Sequence, residues 1–458
     1  MNTILQQICK DFIVDVINFF SQDKTLALEE IETSLKNKTN TFILNMIKTY
    51  LEQLDQSIVE DKKSRKQNGI VVEHRGDKRE QYLLFGQLSF ARTYFYDKQN
   101  KEYTYLVDKV VGLERYERVS NTVAIQLIEH ANESSYGETS RHVTGGEISR
   151  QTIMKKLRKL KGLKIDKPPA KRQVKVLYVN ADEDHIAMQN GSNTIVPLIS
   201  IHEGITRNGK RGRCINPHYI SSHGKPIEDL WLEAAEWIHE SYDIDYIEKI
   251  YLHGDGASWI KEGLNWLPKV KMVLDRYHIN KTITTVTGRQ PEKRFKLYAA
   301  LSTGNKQAFT TIIHRLMKDA TDESERKRIK DFKRYITNNW SGIIIHSQEE
   351  CGGSCTEGHV SHVLSSRLSS RPMGWSREGL RVMAELRAYK SSGGQIEQKH
   401  LKTTDSNYKL EKRAVKKATI AFKQAAREQF NNVVILGRGK VVSVFDCLRG
   451  LQNGTAQL

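Results

Sequence analysis

The chain has 458 residues, of which 72 are Lys or Arg and 54 are Asp or Glu, for a formal net charge of +18. That length allows two to four domains with buried cores, and that charge points to a polyanionic partner, nucleic acid first and an anionic membrane surface second. No apolar run approaches the ~20 residues of a membrane-spanning helix. The N-terminus carries Asp11 and Asp15 where a secretion signal would be basic and then apolar. Five scattered cysteines give neither a disulfide framework nor zinc-site spacing. The expectation is a cytoplasmic protein with reduced thiols, Cys351 and Cys355 flanking a Gly-rich loop.

Residues 1–66 read as helical. Ile4, Ile8, Phe12, Ile13, Val16 and Phe19 recur at three- and four-residue steps, as do Ile31, Leu35, Phe42, Ile43, Met46 and Ile47. Helices of this kind pack on each other or on a second subunit. Lys62 to Lys66 reads as a basic connector. Residues 67–117 switch to β-rich runs at Ile70–Val72, Tyr82–Phe85, Leu88–Tyr96 and Tyr103–Val107, with turn signals at Gly76-Asp77, Gly86 and Asp97–Asn100. This predicts a small antiparallel sheet with an aromatic edge.

Residues 118–165 read as helices again. A short helix over Tyr136–Val143, a turn at Thr144–Glu147 and a second helix over Ile148–Leu160 make a helix-turn-helix design, with Ser149 as N-cap. Arg150, Lys155 and Lys156 are expected to face outward from the second helix, towards a DNA groove. A Pro-containing basic linker, Gly162 to Arg172, follows.

From residue 173 the order of elements carries the argument. Val174–Ala181, His185–Gln189 and Thr194–His202 read as three strands. A basic hairpin, Gly204–Ser221, leads to a helix over Ile227–Ser241, a fourth strand at Ile247–Leu252, a helix at Ala257–Leu267 and a fifth strand at Val270–Leu274. Three strands, a helix, a strand, a helix and a strand is the order of an α/β domain of RNase H-like type, with a mixed five-stranded sheet. In that arrangement the first and fourth strands are neighbours, so Asp182 and Asp255 are expected side by side. The catalytic core occupies 173–286, a helical insertion 287–350, and the final helix with a basic C-terminal region 351–458.

Isolated carboxylates are costly to bury unless paired or bound to metal. Two strands that each end in Asp therefore suggest a divalent-cation site, and two-metal phosphodiester chemistry needs such oxygen ligands. A third carboxylate must arrive on a packed helix. Glu357 fits: Val360, Leu364 and Leu368 repeat on the helix face it heads, and Pro372 ends the helix. Asp184 is the alternative to Asp182, since it points to the same face of a strand. Glu183 stands beside both. Arg367 and Arg371 are expected on the outer side, where they would hold phosphates.

With these residues assembled, the chain resembles the DDE transposases. The nearest likeness is to the ISLre-type group of bacterial insertion-sequence enzymes, allied to the Mutator-like families, over about residues 70–450. The resemblance rests on Asp182 after an apolar strand, on Leu-His-Gly-Asp255-Gly, on Asp275-Arg-Tyr-His278, and on Glu357-Gly at the head of a helix rich in Ser and Arg. It implies that Asp182, Asp255 and Glu357 are the catalytic, metal-binding triad. It implies two Mg²⁺ (or Mn²⁺) ions, with Asp275 and His278 supporting the ligands. It further implies binding to the inverted-repeat ends of a mobile element, 3′-end cleavage by water, and direct strand transfer into target DNA. The protein would be nucleoid-associated and assemble as a homo-oligomer on double-stranded DNA. Residues 361–440 hold 17 Lys or Arg against 6 Asp or Glu. There Arg367, Arg371, Arg377, Arg381, Arg387, Lys390, Lys412, Arg413, Lys416 and Lys417 are expected to line a DNA path. The competing readings are a metal-dependent nuclease of the same fold and a DNA-binding regulator with an inactive core.

Overall fold

A computed structural model describes residues 2–22, 25–209, 211–288, 290–352, 356–371 and 373–401. Lys412, Arg413, Lys416 and Lys417 lie outside the described residues. The chain forms two compact units that divide at Gln126/Leu127. No described helix is long and apolar enough to cross a membrane.

The first unit is helical and then β-rich, as the change of period predicts. Helices α1 (Asn2–Phe20) and α2 (Leu28–Glu60) pack together, with Phe12 stacked on Phe42 at 4.6 Å. The basic connector is a short helix, α3 (Lys62–Gln67), capped by Asp61. Strands β1 (Ile70–Leu83), β2 (Gly86–Asp97) and β3 (Glu102–Thr104) form an antiparallel sheet. Gly76-Asp77 does not end a strand: Gly76 adopts φ +88°, and the chain passes it as a bulge within β1. The sheet lays Leu88, Phe90 and Phe95 on Leu51, Leu54 and Ile58 of α2. Where β3 is too short to pair with β2, α2 supplies the acceptors. Glu52 takes the Ala91 N–H at 2.9 Å, and buried Asp55 takes the Thr93 N–H and hydroxyl at 3.1 and 2.6 Å. Helix α4 (Leu106–Val111) closes this core, and α5 (Asn121–Glu133) carries the chain into the second unit.

The second unit opens with α6 (Tyr136–Thr144) and α7 (Arg150–Arg158). Ser149 caps α7 by accepting the Thr152 N–H. The sheet is built from β4 (Val176–Ala187), β5 (Asn193–His202), β8 (His218–Ser221), β9 (Lys249–Gly254) and β10 (Val270–Leu274), with a side ribbon of β6 (Ile205–Asn208) and β7 (Arg211–Cys214). Two strand assignments change. Val174–Ala181 and His185–Gln189 are one strand, because the acidic residues between them continue β4 instead of turning it. The third strand is β8, from the end of the basic hairpin. The spatial order is β10-β9-β4-β5-β8, with β10, β9 and β4 parallel and β4, β5 and β8 antiparallel. The sheet is therefore mixed and five-stranded, with the strand carrying Asp182 beside the one preceding Asp255.

One face of this sheet is apolar. Leu177, Val179, Ala181, Ile199, Ile201 and Leu252 meet α8 (Ile227–Ser241) and α9 (Ser258–Trp266) through Trp231, Ala234, Ile238 and Ile260. Next come α10 (Arg276–Thr287), α11 (Pro291–Ser302), α12 (Lys306–Asp319), α13 (Glu323–Asn338) and α14 (Trp340–Gln348). They enclose a separate core around Phe309, Ile313, Ile329 and Phe332. The last of them returns to β10, where a Cβ on Gly342 would fall 3.1 Å from the Leu274 nitrogen. Helix α15 (Thr356–His359) passes through a π-helical turn, Val360–Ser365, into α16 (Ser366–Leu368). Helix α17 (Arg377–Ser391) packs on β8, α7 and the π turn.

Two histidines tie this core to pH. His218 stacks on Trp237 at 3.7 Å, and burial pushes its pKa down to about 3. His202 is pushed down to about 4 by burial, opposed by a backbone contact to Gly204. Both are neutral when folded, whereas the unfolded chain takes up protons near pH 6.5. Stability should therefore fall as pH drops below about 6.5 and keep falling towards the folded values. Between pH 7 and 5 the His218 contribution lost is up to about 2 kcal/mol. Urea midpoints at the two pH values should show a smaller loss in His218→Phe, which keeps the stacking on Trp237, than in the wild type.

Candidate active site

The register of β4 and β9 sets the site. The parallel ladder runs from Val176↔Lys249 to Asn180↔His253. Continued by two residues, it puts Asp182 across from Asp255. The strands stay close there, since a Cβ on Gly254 would sit 3.1 Å from the Ala181 carbonyl oxygen. Side chains alternate along a strand. Tyr178, Asn180, Asp182 and Asp184 therefore share the face opposite the apolar α8–α9 core, together with Tyr251 and His253.

Asp182 is 8% exposed. Its Oδ1 accepts the Glu183 N–H at 2.9 Å, and its Oδ2 lies 3.7 Å from His278 Nε2, an ion-pair distance too long for a hydrogen bond. Asp255 Oδ1 accepts the Ala257 N–H at 2.8 Å. Asp275 caps α10 by accepting the Tyr277 N–H, and its own N–H donates to the Gly254 carbonyl. The cap fixes the turn that presents His278. Its polar contact with Asp182 raises the His278 pKa against the effect of burial, and the charges of Asp275 and Asp255 push the same way. One imidazole thus faces three carboxylates.

The alternative carboxylate has a different environment. Asp184 receives the Ser369 hydroxyl at 2.9 and 3.1 Å, and burial pushes its pKa up. It anchors the end of α16 to β4. Glu183 points to the other face, where Trp259 Nε1 donates to it.

The helix that begins at α15 lies across β4. Val360, Leu364 and Leu368 are buried, as their spacing predicts. The Glu357 backbone lies in α15, and its side chain lies outside the described residues. Two residues on, His359 Nδ1 meets Ser200 Oγ at 2.8 Å, and Ser200 Oγ accepts from Asn180 Nδ2 at 3.3 Å. This end of the helix is thereby fixed two residues along β4 from Asp182. Among the described residues no three His, Cys, Asp or Glu side chains converge into a complete metal site. Asp182 and Asp255 fit as two ligands: each gives one oxygen to a backbone N–H, and hard carboxylate oxygens suit Mg²⁺.

The inserted helices reach this site, which the sequence did not signal. Gly256 has φ +86°, and a Cβ there would lie 2.5 Å from Asn339 Oδ1. Asn339 Nδ2 donates to the Tyr335 carbonyl. Burial, then the charges of Asp255 and Asp275, raise the Tyr335 pKa.

The basic residues divide. Arg150 and Lys155 are exposed on α7, as expected. Lys156 is not: it is 5% exposed, because it shares a face with Ile153 and Leu157, and α7 packs on α17. Arg367 is also buried, at 4%. Its Nε donates to the Ala131 carbonyl at 3.0 Å, and its guanidinium lies over Tyr136 and Trp375. It joins α16 to the end of α5 and is not available for a phosphate. Arg371 is exposed, 3.6 Å from Glu138, and Arg377 is exposed. Arg381 is engaged by Glu378 and Glu385 of its own helix.

A family described as uncharacterised, UPF0236, matches residues 21–404. The chain belongs to the UPF0236 family. A UPF0236 protein of Caldanaerobacter subterraneus subsp. tengcongensis is 38% identical over 459 residues, covering 98% of this chain and 97% of its own. A second from that organism is 37% identical over 462 residues, covering 99% of each. A UPF0236 protein in the vanSb 3′ region of Streptococcus gallolyticus is 26% identical over 385 residues, covering 80% of this chain and 83% of its own.

The Asp255 turn of this UPF0236 chain yields a stability test. Gly256→Ala should destabilise by about 2 kcal/mol, through a positive φ that L-residues resist and through the clash with Asn339. Adding Asn339→Ala should recover only the clash. Denaturant midpoints of the two variants check this.

Proposed function

We propose that this chain is a DDE-type transposase: a metal-dependent enzyme that binds the ends of its own mobile element, cleaves DNA at the 3′ ends and transfers them to a target. The β4–β9 register carries the reading, since it brings Asp182 and Asp255 together with His278 facing both. The strand order also supports an RNase H-like core, in which first and fourth strands adjoin and a helix bearing the third acid crosses the sheet. The relatives lend further support. One Caldanaerobacter protein carries eleven gene designations and another four, as copies of a mobile gene would.

In this reading Asp182, Asp255 and Glu357 hold two Mg²⁺ or Mn²⁺ ions. When bound, such ions activate the attacking oxygen and stabilise the leaving one. Asp182 and Asp255 provide oxygen ligands held in orientation by the Glu183 and Ala257 N–H groups. His278 lies against Asp182 and helps to hold it in place, and Asp275 fixes the turn that presents His278. Water attacks the phosphodiester at the element end; the freed 3′-hydroxyl then attacks a target phosphodiester and displaces its 3′-oxygen.

Charge distribution favours DNA along residues 127–458. Residues 1–126 contain 18 basic and 18 acidic residues, so the whole excess of +18 lies beyond them. Joining two ends calls for at least a dimer on the DNA, in the cytoplasm at the nucleoid.

The test is cleavage of labelled DNA carrying the ends that flank its own gene, with Mg²⁺ or Mn²⁺. Wild type should nick at one defined position. Asp182→Asn, Asp255→Asn and Glu357→Gln should each lose cleavage by about 10³-fold or more, with binding retained. Activity in Asp182→Asn with loss in Asp184→Asn would move the ligand to Asp184. Transfer-free cutting at many sites would mark a nuclease, and specific binding with no cut in wild type would mark a regulator. Affinity should fall steeply with salt.

A further inference from the structure

The helix that carries Glu357 contains a widened turn, and a buried arginine from another helix is built around it. Residues Val360–Ser365 are π-helical, with the Ser366 N–H donating back five residues to the Ser361 carbonyl. A π turn holds one residue more than an α turn and leaves carbonyls tipped out of the helical ladder. Arg387 of α17 meets them. Its Nε donates to the Val363 carbonyl at 2.7 Å, and its Nη2 donates to the His362 carbonyl at 2.5 Å and to Ser366 Oγ at 3.0 Å. The other arm of the guanidinium reaches the end of α5: Nη1 donates to the Asn132 carbonyl at 3.1 Å and to Glu133 Oε1 at 2.5 Å. Arg387 is 5% exposed.

A buried guanidinium is tolerated only when its donors are met and its charge is balanced. Here acceptors from the π turn, the α5 carbonyl and Glu133 do both. The arrangement does more than satisfy a charge. Each residue of an α-helix advances about 100°, so one extra residue in the turn rotates everything before it relative to everything after it. The later part is anchored, Ser369 to Asp184; the earlier part carries Glu357 and is fixed through His359 to Ser200.

We propose that Arg387 is a positioning residue: by holding the π turn open, it sets the rotation at which Glu357 meets Asp182 and Asp255. This rests on the reading of Glu357 as the third metal ligand. A regular α turn would close the ladder over His362 and Val363 and change the rotation of the segment before it, which carries Glu357. Arg387 is buried and its donors are engaged by the helix and by α5, so it acts through the helix.

The experiment measures Mn²⁺ affinity in the presence of element-end DNA, DNA affinity, and thermal melting, in full-length protein. The variants are Arg387→Lys, which keeps the charge and loses the fork, a deletion of exposed Ser361, which removes the extra residue, and Glu357→Gln. Arg387→Lys and the Ser361 deletion should each weaken Mn²⁺ binding by about 10- to 100-fold, with DNA affinity unchanged. Melting provides an independent readout. Arg387→Met should lower the melting temperature in the wild-type background and much less in the deletion background, where no open carbonyls remain to be met. Normal Mn²⁺ binding in both Arg387→Lys and the deletion, with loss in Glu357→Gln, would overturn the positioning role and leave the transposase reading standing. Equal melting losses from Arg387→Met in the two backgrounds would also overturn it. Normal Mn²⁺ binding in Glu357→Gln would instead remove Glu357 from the site, and with it the reading on which this role depends.

Discussion

The backbone ladder between β4 and β9 is the constraint on which the candidate site depends. Parallel pairing fixes an offset, and the offset is blind to side chains, so it brings two aspartates together whether or not they repel. Their mutual repulsion has to be met by other groups. The protein meets it with N–H donors from Glu183 and Ala257, with the imidazole of His278, and with an Asp275 cap that ties β10 to the end of β9. Each of these comes from a different local segment, yet all converge at the end of the β4–β9 ladder. The apolar residues on the opposite face, from Leu177 to Leu252, hold the ladder in register by burying it against α8 and α9.

The polar face of the same sheet is maintained differently. Here packing is mediated by hydrogen-bonded polar groups in place of aliphatic ones: Asn180 with Ser200 and His202, Ser200 with His359, Asp184 with Ser369. Burying such groups costs free energy unless their partners are in place, so the helix through Val360–Ser365 has few positions in which it can dock. The buried arginines extend this logic. Arg367 and Arg387 carry the acceptors of the α5 terminus to the helix that crosses the sheet, so α5, which begins in the first unit's sequence, ends as part of the site's support.

Much of this was legible in the sequence because it is encoded by period and spacing. The apolar runs before Asp182 and Asp255 marked neighbouring strands, the Val360, Leu364 and Leu368 stripe marked a buried face, and Ser149 marked a helix start. What was not legible depended on tertiary context. The acids at 182–184 read as a turn because polar residues usually end strands; in the fold they continue β4, with Asp182 and Asp184 on its polar face and Glu183 on the other, held by Trp259. Lys156 and Arg367 read as outward because charge usually is, and both are buried, since neighbouring helices cover their faces. The π turn has no sequence period of its own, so Arg387 looked like one more cation on a basic surface. Tyr335 and Asn339 lie about eighty residues from Asp255 in the chain, in helices with their own core, and nothing local linked them to the Asp255-Gly256 turn.

Charge separates residues 1–126 from the rest of the chain. Residues 1–126 balance their acids and bases and spend several of them internally, on the Arg79–Asp108–Arg92 cluster and on the β2 N–H groups held by Glu52 and Asp55. A net-neutral surface gains nothing from the counterion release that drives binding to a DNA backbone. Residues 127–458 have charge to spare even after Lys156, Arg367, Arg381 and Arg387 are committed to internal partners or buried. The excess of positive charge therefore resides in the same part of the chain as the two aspartates, as the proposed action on DNA would require. In the proposed reading the carboxylates would repel the phosphate they approach, and a surrounding excess of cations, with metal ions held by the acids, would allow them to meet.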